Sequence, residues 1–463
     1  MKLSKMIALL LSLCLLISLF SCAGKGEEPK TTEDISASTE AAWNENTTET
    51  MESTSIIPPP ASSSTTSEKG TSITAKPTTT QKVSFPVHKF DSPAAGANDF
   101  AFRLSKELLK SSGKGNFLCS PFSVWLPLAA LANATDDANR PALLNAVGAA
   151  GFSTSQLNEA AAQMLSTLTK PALSEHNPLK IANAVFVDKN VTLKKSFDSV
   201  FAKNYDGKAF SVDFASPQAV KTVNDWASKN TNGLIPSIVQ QFDQATIAAI
   251  ANAIYFSDRW DWEFNPEKTK KDTFHGLGGD TTAEFMLREG DEQIYYEDDK
   301  LQAMPLDFKT GGGLYILLPK DGNAIALLSG LTFGKFQKIR EDSKWMTGRL
   351  LLPRFKIDND GMDLTGALQA LGVPLFDASA APLTGGLVNE NVPVWLSSAL
   401  QKAKIEVDEK GTTAAAVTVM VMAGAALPEQ TKPFEMTCDK PFAFVLYGNG
   451  GQILFTGIVN QIG

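Results

Sequence analysis

Residues 407–430 read VDEKGTTAAAVTVMVMAGAALPEQ, and the fold turns on what this stretch is for. It opens charged at Asp408, Glu409 and Lys410, then passes Gly411, two threonines and three alanines. It becomes β-branched and apolar over residues 417–422 and dissolves into AGAALPEQ. High β propensity without charge or proline over 412–422 is an aggregation hazard if it stays exposed. Two readings stand: a buried strand, or a strand not yet in its sheet.

The rest of the chain sets the frame. Its 463 residues are 43% hydrophobic, 9% aromatic and 20% charged, a globular composition with ample length for a core. The net charge of -8 comes with no run of lysine and arginine, so nucleic acid is not an expected partner.

The N-terminus, MKLSKMIALLLSLCLLISLFSC, carries two lysines and then an apolar segment too short to span a membrane. Residues 1–22 read as a secretion signal. Its end, Leu19-Phe20-Ser21-Cys22, resembles the bacterial lipobox, in which the cysteine becomes the lipidated first residue. The two chains of a diacyl group suffice for stable anchoring at the outer face of a cell membrane. Phe20 departs from the usual pattern, and plain secretion is the alternative. Residues 23–89 are rich in serine, threonine, proline and glutamate without apolar periodicity, which predicts a disordered tether.

Residues 90–463 contain no second low-complexity break and read as one domain. AGANDFAFRLSKELLK has helical spacing at Phe100, Leu104 and Leu108. NPLKIANAVFVDKN and IAAIANAIYFSDRW read as central strands, GGLYILLPKDG and RLLLPRFKID as strands bounded by turns. DLTGALQALGV is a short helix ended by Gly372, and KPFAFVLYGNGGQILFTGIV a hairpin around GNGG. Helices cluster early and strands late, which predicts an α+β fold. Of four cysteines, Cys119 and Cys438 remain for the domain; they pair or pack as buried thiols.

Catalytic chemistry is hard to find. The three histidines, His88, His176 and His275, accompany no G-x-S-x-G nucleophile motif, HExxH or phosphate-binding loop. Asp298-Asp299 reads as a solvated turn. The expectation is a protein that is not an enzyme and needs no cofactor or metal.

IEVDEKGTTAAAVTV (405–419) resembles the reactive-loop hinge of the serpins, the serine protease inhibitors. Further segments resemble that family in the family's order: NFLCSPFSVWLPLAAL (116–131), VNDWASKNTNGLI (223–235), NAIYFSDRWDWEFNPEKTKKDTFH (252–275), LPRFKID (352–358), LGVPLFD (371–377) and KPFAFVL (440–446). Together they span essentially all of 90–463. The resemblance implies helices packed around three β-sheets, with an exposed, insertable reactive loop. It implies that a protease cuts this loop, which then enters a large sheet as a new strand and drags the acylated protease along.

Such a loop needs a pivot and small residues behind it. Gly411 permits unusual backbone angles, and Thr412, Thr413, Ala414, Ala415 and Ala416 can slip between strands without clash. Alternation puts Thr412, Ala414, Ala416 and Thr418 on one face. Counting from Glu409, the resemblance sets the scissile bond at Ala425-Ala426. The stretch onward to Lys440 is longer than usual for the family, which widens the window to 422–427. Every residue before a candidate cut is small or apolar, so elastase-like or subtilisin-like proteases are the expected partners. Serine-type targets extend by the resemblance to cysteine-type ones.

The resemblance also assigns Ser120, Ser123 and Asn252 to a hydrogen-bond network beneath the insertion point, with Gln401 where the family often has histidine. Trp260 matches a tryptophan at the top of that sheet, as a gate or as a core aromatic. The expected molecule is a monomeric, lipid-tethered inhibitor. The alternative is a cell-surface binding protein that uses the same scaffold without trapping.

Overall fold

Ser92 starts the first helix, α1 (Pro93–Leu109): its side chain accepts the Ala95 amide at 3.2 Å, and Pro93 presets the first turn. The predicted stripe Phe100, Leu104 and Leu108 is buried. The computed structural model describes residues 85–169, 179–243, 246–359, 361–412 and 432–463. A short strand, β1 (Phe117–Cys119), leads into α2 (Pro121–Leu131), which is buried almost all round and so must sit at the centre of the molecule. α3 (Arg140–Ala146) and α4 (Thr154–Thr169) extend this helical layer.

Strands and helices then alternate through β2 (Leu179–Asp188), α5 (Lys195–Tyr205), β3 (Gly207–Val212), α6 (Pro217–Asn230), β4 (Ala248–Phe256) and β5 (Asp258–Arg259). A long run of sheet follows: β6 (Lys270–Gly276), the 19-residue β7 (Gly279–Glu297), β8 (Leu301–Asp307) and β9 (Gly313–Pro319). After α7 (Ala324–Gly330) and α8 (Phe333–Asp342) come β10 (Lys344–Pro353), β11 (Phe355–Asp358), β12 (Met362–Asp363) and α9 (Thr365–Ala370). The last strands are β13 (Leu400–Gln401), β14 (Lys404–Asp408), β15 (Gly411–Thr412), β16 (Phe434–Thr437), β17 (Phe442–Tyr447) and β18 (Ile453–Val459).

The largest sheet orders its strands β1-β18-β17-β9-β8-β7-β10-β16, with β6 beside β7. Its heart is the predicted hairpin: every residue of β17 and β18 is buried, and Gly450 and Gly451 take positive φ in the turn between them. Gly372 ends α9 with φ 85°, as read from the sequence. Cys119 and Cys438 are both buried and free, so they pack rather than pair.

Two smaller sheets carry the functional question. One is β3-β2-β4; the other is β11-β14-β15-β5, and β12 pairs with β13. β2 is central, as predicted. β4 is not: among the described residues it pairs with β2 alone. Its apolar sequence, AAIANAIYF, suits a strand with neighbours on both sides, yet most of its residues are only half-buried. The chain passes from β4 through Ser257 into β5, which belongs to the other small sheet. The two small sheets are therefore halves of one larger sheet, parted along β4 and β14.

Candidate functional site

The parting between the halves is a cleft lined by Ile254, Tyr255 and Phe256 of β4, Lys404 and Ile405 of β14, and Leu234 below them. At one end it is already closed. There Gly411 and Thr412 sit as β15 between β14 and β5, antiparallel to both: Val407 faces Thr412 and Thr412 faces Asp258. Thr412 is 1% exposed. Its Oγ1 accepts the Asp258 amide at 3.2 Å. A Cβ on Gly411 would lie 2.0 Å from the Asp258 carbonyl oxygen, and its φ of +150° is unfavourable to any side chain, so only glycine fits this seat.

The turn that brings the chain back from β14 is built by Asp408. Its carboxylate accepts the Lys410 amide at 2.8 Å and the Gly411 amide at 3.2 Å. Trp260, fully buried, grips the same turn from the other side. Its indole donates to the Asp408 carbonyl at 2.8 Å, and its backbone amide to the Lys410 carbonyl at 2.9 Å. The ring stacks on Phe308 at 4.9 Å between centroids. Trp260 is thus a core aromatic whose indole is hydrogen-bonded to the turn before Gly411.

Glu409 is 5% exposed, a carboxylate that needs partners where it stands. Arg354 supplies them: its Nε lies 2.9 Å from both carboxylate oxygens and its Nη2 2.7 Å from one. The Thr269 hydroxyl also donates to it. Burial pushes the Glu409 carboxyl up, but the Arg354 and Thr269 hydrogen bonds outweigh it and hold the group below its ordinary range. Sequence reasoning gave Arg354 and Thr269 no role. A signal was present, because an acidic residue in a hinge that closes into a sheet requires a cation, and Arg354 stands in LPRFKID.

The network expected from Ser120, Ser123, Asn252 and Gln401 is divided. Gln401 accepts the Ser120 amide and donates to the Ser120 carbonyl, both at 2.8 Å, while the Ser120 hydroxyl donates to the Leu454 carbonyl. Asn252 turns instead to β2: its Nδ2 donates to Asn183 Oδ1 at 2.7 Å, and Asn183 donates to the Tyr205 carbonyl. Ser123 is buried in the first turn of α2 and bonds to none of these side chains. The reason is the cleft itself, with Gln401 on one bank and Asn252 on the other. The Asn252 Oδ1 is left buried without a partner. Thr413, Ala414, Ala415, Ala416, Ala425, Ala426 and Cys22 lie outside the described residues, as does His176.

A sheet parted along one seam, with the seam closed at one end by Gly411 and Thr412, is the sheet and hinge arrangement that the resemblance implied. Comparison with known proteins agrees. The family model described as Serpin (serine protease inhibitor) matches residues 95–462. An alpha-1-antiproteinase of Rattus norvegicus is 32% identical over 371 residues, covering 78% of this chain and 87% of that one. Serpin-Z7 of Hordeum vulgare is 30% identical over 384 residues, covering 78% and 94%. The crystal structure of Serpin48, a highly specific serpin of the insect Tenebrio molitor, superposes with a TM-score of 0.70 at 26% identity, covering 80% of this chain and 98% of that one. The chain belongs to the serpin family.

Proposed function

We propose that the chain inhibits serine-type proteases by suicide-substrate trapping. The protease serine attacks the carbonyl of one residue from Met422 to Ala426, with Ala425-Ala426 as the assigned bond. The peptide bond breaks, its amine leaves, and an ester joins the two proteins. Water would hydrolyse that ester if the loop stayed where it was. Insertion of the freed strand distorts the protease first, and the ester persists.

The observation that carries this reading is the seam with its first two residues already seated. Continuing the antiparallel register of Gly411 and Thr412 sets Ala414 opposite both Phe256 and Ile405, and Thr418 opposite both Asn252 and Gln401. All nine residues of β4 then face residues 414–422, AAAVTVMVM. The strand held in reserve has the length and chemistry of the missing neighbour, small where it enters and β-branched where it is buried. No charge stands between Thr412 and Ala425, the part that would insert, which weighs against a scaffold that merely binds.

Small residues before the cut favour elastase-like or subtilisin-like targets, and the family allows cysteine-type ones. Cys22 and the tether would display the inhibitor as a monomer at the outer surface of a cell. Incubation with a panel of proteases tests the reading: an SDS-stable complex is expected, together with a released fragment that begins within 423–427 by mass spectrometry. Cleavage in that window by every protease, with no complex from any, overturns trapping.

A further inference from the structure

Trp345 stands on the outer face of β10 at 66% exposure, opposite Ile294 of β7. Single exposed apolar residues are ordinary, and exposure alone argues nothing. Position does. β10 and β16 run parallel, with Gly348 facing Phe434 and Arg349 facing Glu435. β16 is the strand by which the chain rejoins the body after the reactive loop. Continued back by two residues, the register brings Lys432 and Pro433, both exposed, alongside Met346 and Thr347. Trp345 is the next residue outward. The indole therefore flanks the chain on the side that follows the cut, where a protease holding the loop must overhang the sheet.

The rest of that face is polar and largely self-satisfied: Arg349 lies 3.7 Å from Glu435. Leu287, Leu351 and Ile294 on that face are half-buried, which leaves Trp345 as its strongly exposed apolar side chain. Tryptophan is enriched among residues that dominate protein interfaces, where one large rigid ring fills a pocket at little entropic cost.

We propose that Trp345, supported by Ile294, is an accessory docking contact for the target protease. It would meet an apolar patch on the rim of the protease cleft that takes the residues after the cut. This rests on the trapping reading for the identity of the partner. It adds a specificity determinant outside the loop: of two proteases that cut the same bond, the one with an apolar rim is captured faster.

The test uses the full chain and its Trp345→Ala variant, whose exposed site leaves the fold intact, as an unchanged melting temperature verifies. The probes are an elastase-type and a subtilisin-type protease, each active and each with its nucleophilic serine replaced by alanine. Against at least one protease, the variant should associate about tenfold more slowly while giving the same yield of complex per cleavage. Its affinity for the matching inactive protease should fall by a similar factor, and Trp345→Phe should recover part of both. Unchanged rate and affinity with both proteases overturn the proposal. So does an altered yield at unchanged affinity, which would put Trp345 in insertion, or a changed oligomeric state, which would make a second copy the occupant. If no active protease forms a complex, the trapping reading fails, and the inactive proteases still report whether Trp345 docks them.

Discussion

Thr412 Oγ1 accepts the backbone amide of Asp258 at 3.2 Å, across the strand pair that closes the upper end of the seam. Replacing Thr412 by arginine would drive an unpaired charge into a site that is 1% exposed, at a cost of several kcal/mol. Even about 1.4 kcal/mol on the insertion barrier slows it roughly tenfold. Thr412→Arg is expected to leave cleavage intact and abolish the SDS-stable complex, turning inhibitor into substrate. The same change at Thr413, which alternation would put on the other face of an inserted strand, should do much less. The measurement is complex formed per cleavage event, and equal yields from wild type and Thr412→Arg would sink the insertion mechanism.

Glu409 and Arg354 make stability pH-dependent in a defined direction. The folded carboxyl titrates below its ordinary value of 4.5, so the pair's contribution is fully present above that pH. It is lost as pH falls from there through the folded value. Glu409→Gln keeps the shape without the charge and should destabilise by about 1–3 kcal/mol at neutral pH. Its disadvantage should shrink below about pH 4.5. Thermal unfolding at pH 7 and pH 3.5 checks this, and a constant difference between the two would assign the effect to something other than the ion pair.

Asn252 offers a comparison between states of one protein. In the intact chain its Oδ1 has no partner, so Asn252→Ala forfeits mainly the bond to Asn183, about 1 kcal/mol. After cutting and insertion, the continued register brings the Thr418 hydroxyl opposite that oxygen. The substitution should then cost about 1 kcal/mol more in the cleaved protein. Cleavage itself should raise the melting temperature, because insertion buries the VTVMVM run at roughly 1.5–3 kcal/mol per large side chain. Equal penalties before and after cutting would mean that the strand enters in another register.

Cys22 is expected to carry the anchor. Cys22→Ala should release the protein into the medium or leave its signal uncut, as read by fractionation and N-terminal sequencing. A wild-type chain found soluble and beginning at Ala23 or later would exclude the lipid.

Much of this was open to reading in the chain. Elements with one dominant periodicity declared themselves, such as α1 with Phe100, Leu104 and Leu108, or β17 and β18 around Gly450 and Gly451. The hinge did so through Gly411 and the alanines after it. What stayed hidden were partners set by tertiary contact. No local pattern pairs Glu409 with Arg354 and Thr269, or ties the Trp260 indole to the Asp408 carbonyl. The expectation that Asn252 joins Ser120 failed because it presumed a closed sheet, and the seam separates them. β4 misled for the same reason, since its apolar sequence suits two neighbours while among the described residues it pairs with β2 alone.

β16 fastens the far end of the loop by four residues at a sheet edge, while Gly411 and Thr412 fasten the near end. A chain that filled the seam without being cut would run down about nine residues of strand, roughly 30 Å. The roughly eleven residues left before Phe434 reach at most about 38 Å when fully extended. By chain length alone the return is within reach, so the trapping reading predicts that an uncut chain inserts its own loop slowly, and faster the longer the loop. Deleting two residues from 427–430 should slow the loss of activity on storage at 37 °C without protease. On that reading the length of the loop, rather than any protease, would set how long an uncut molecule stays active.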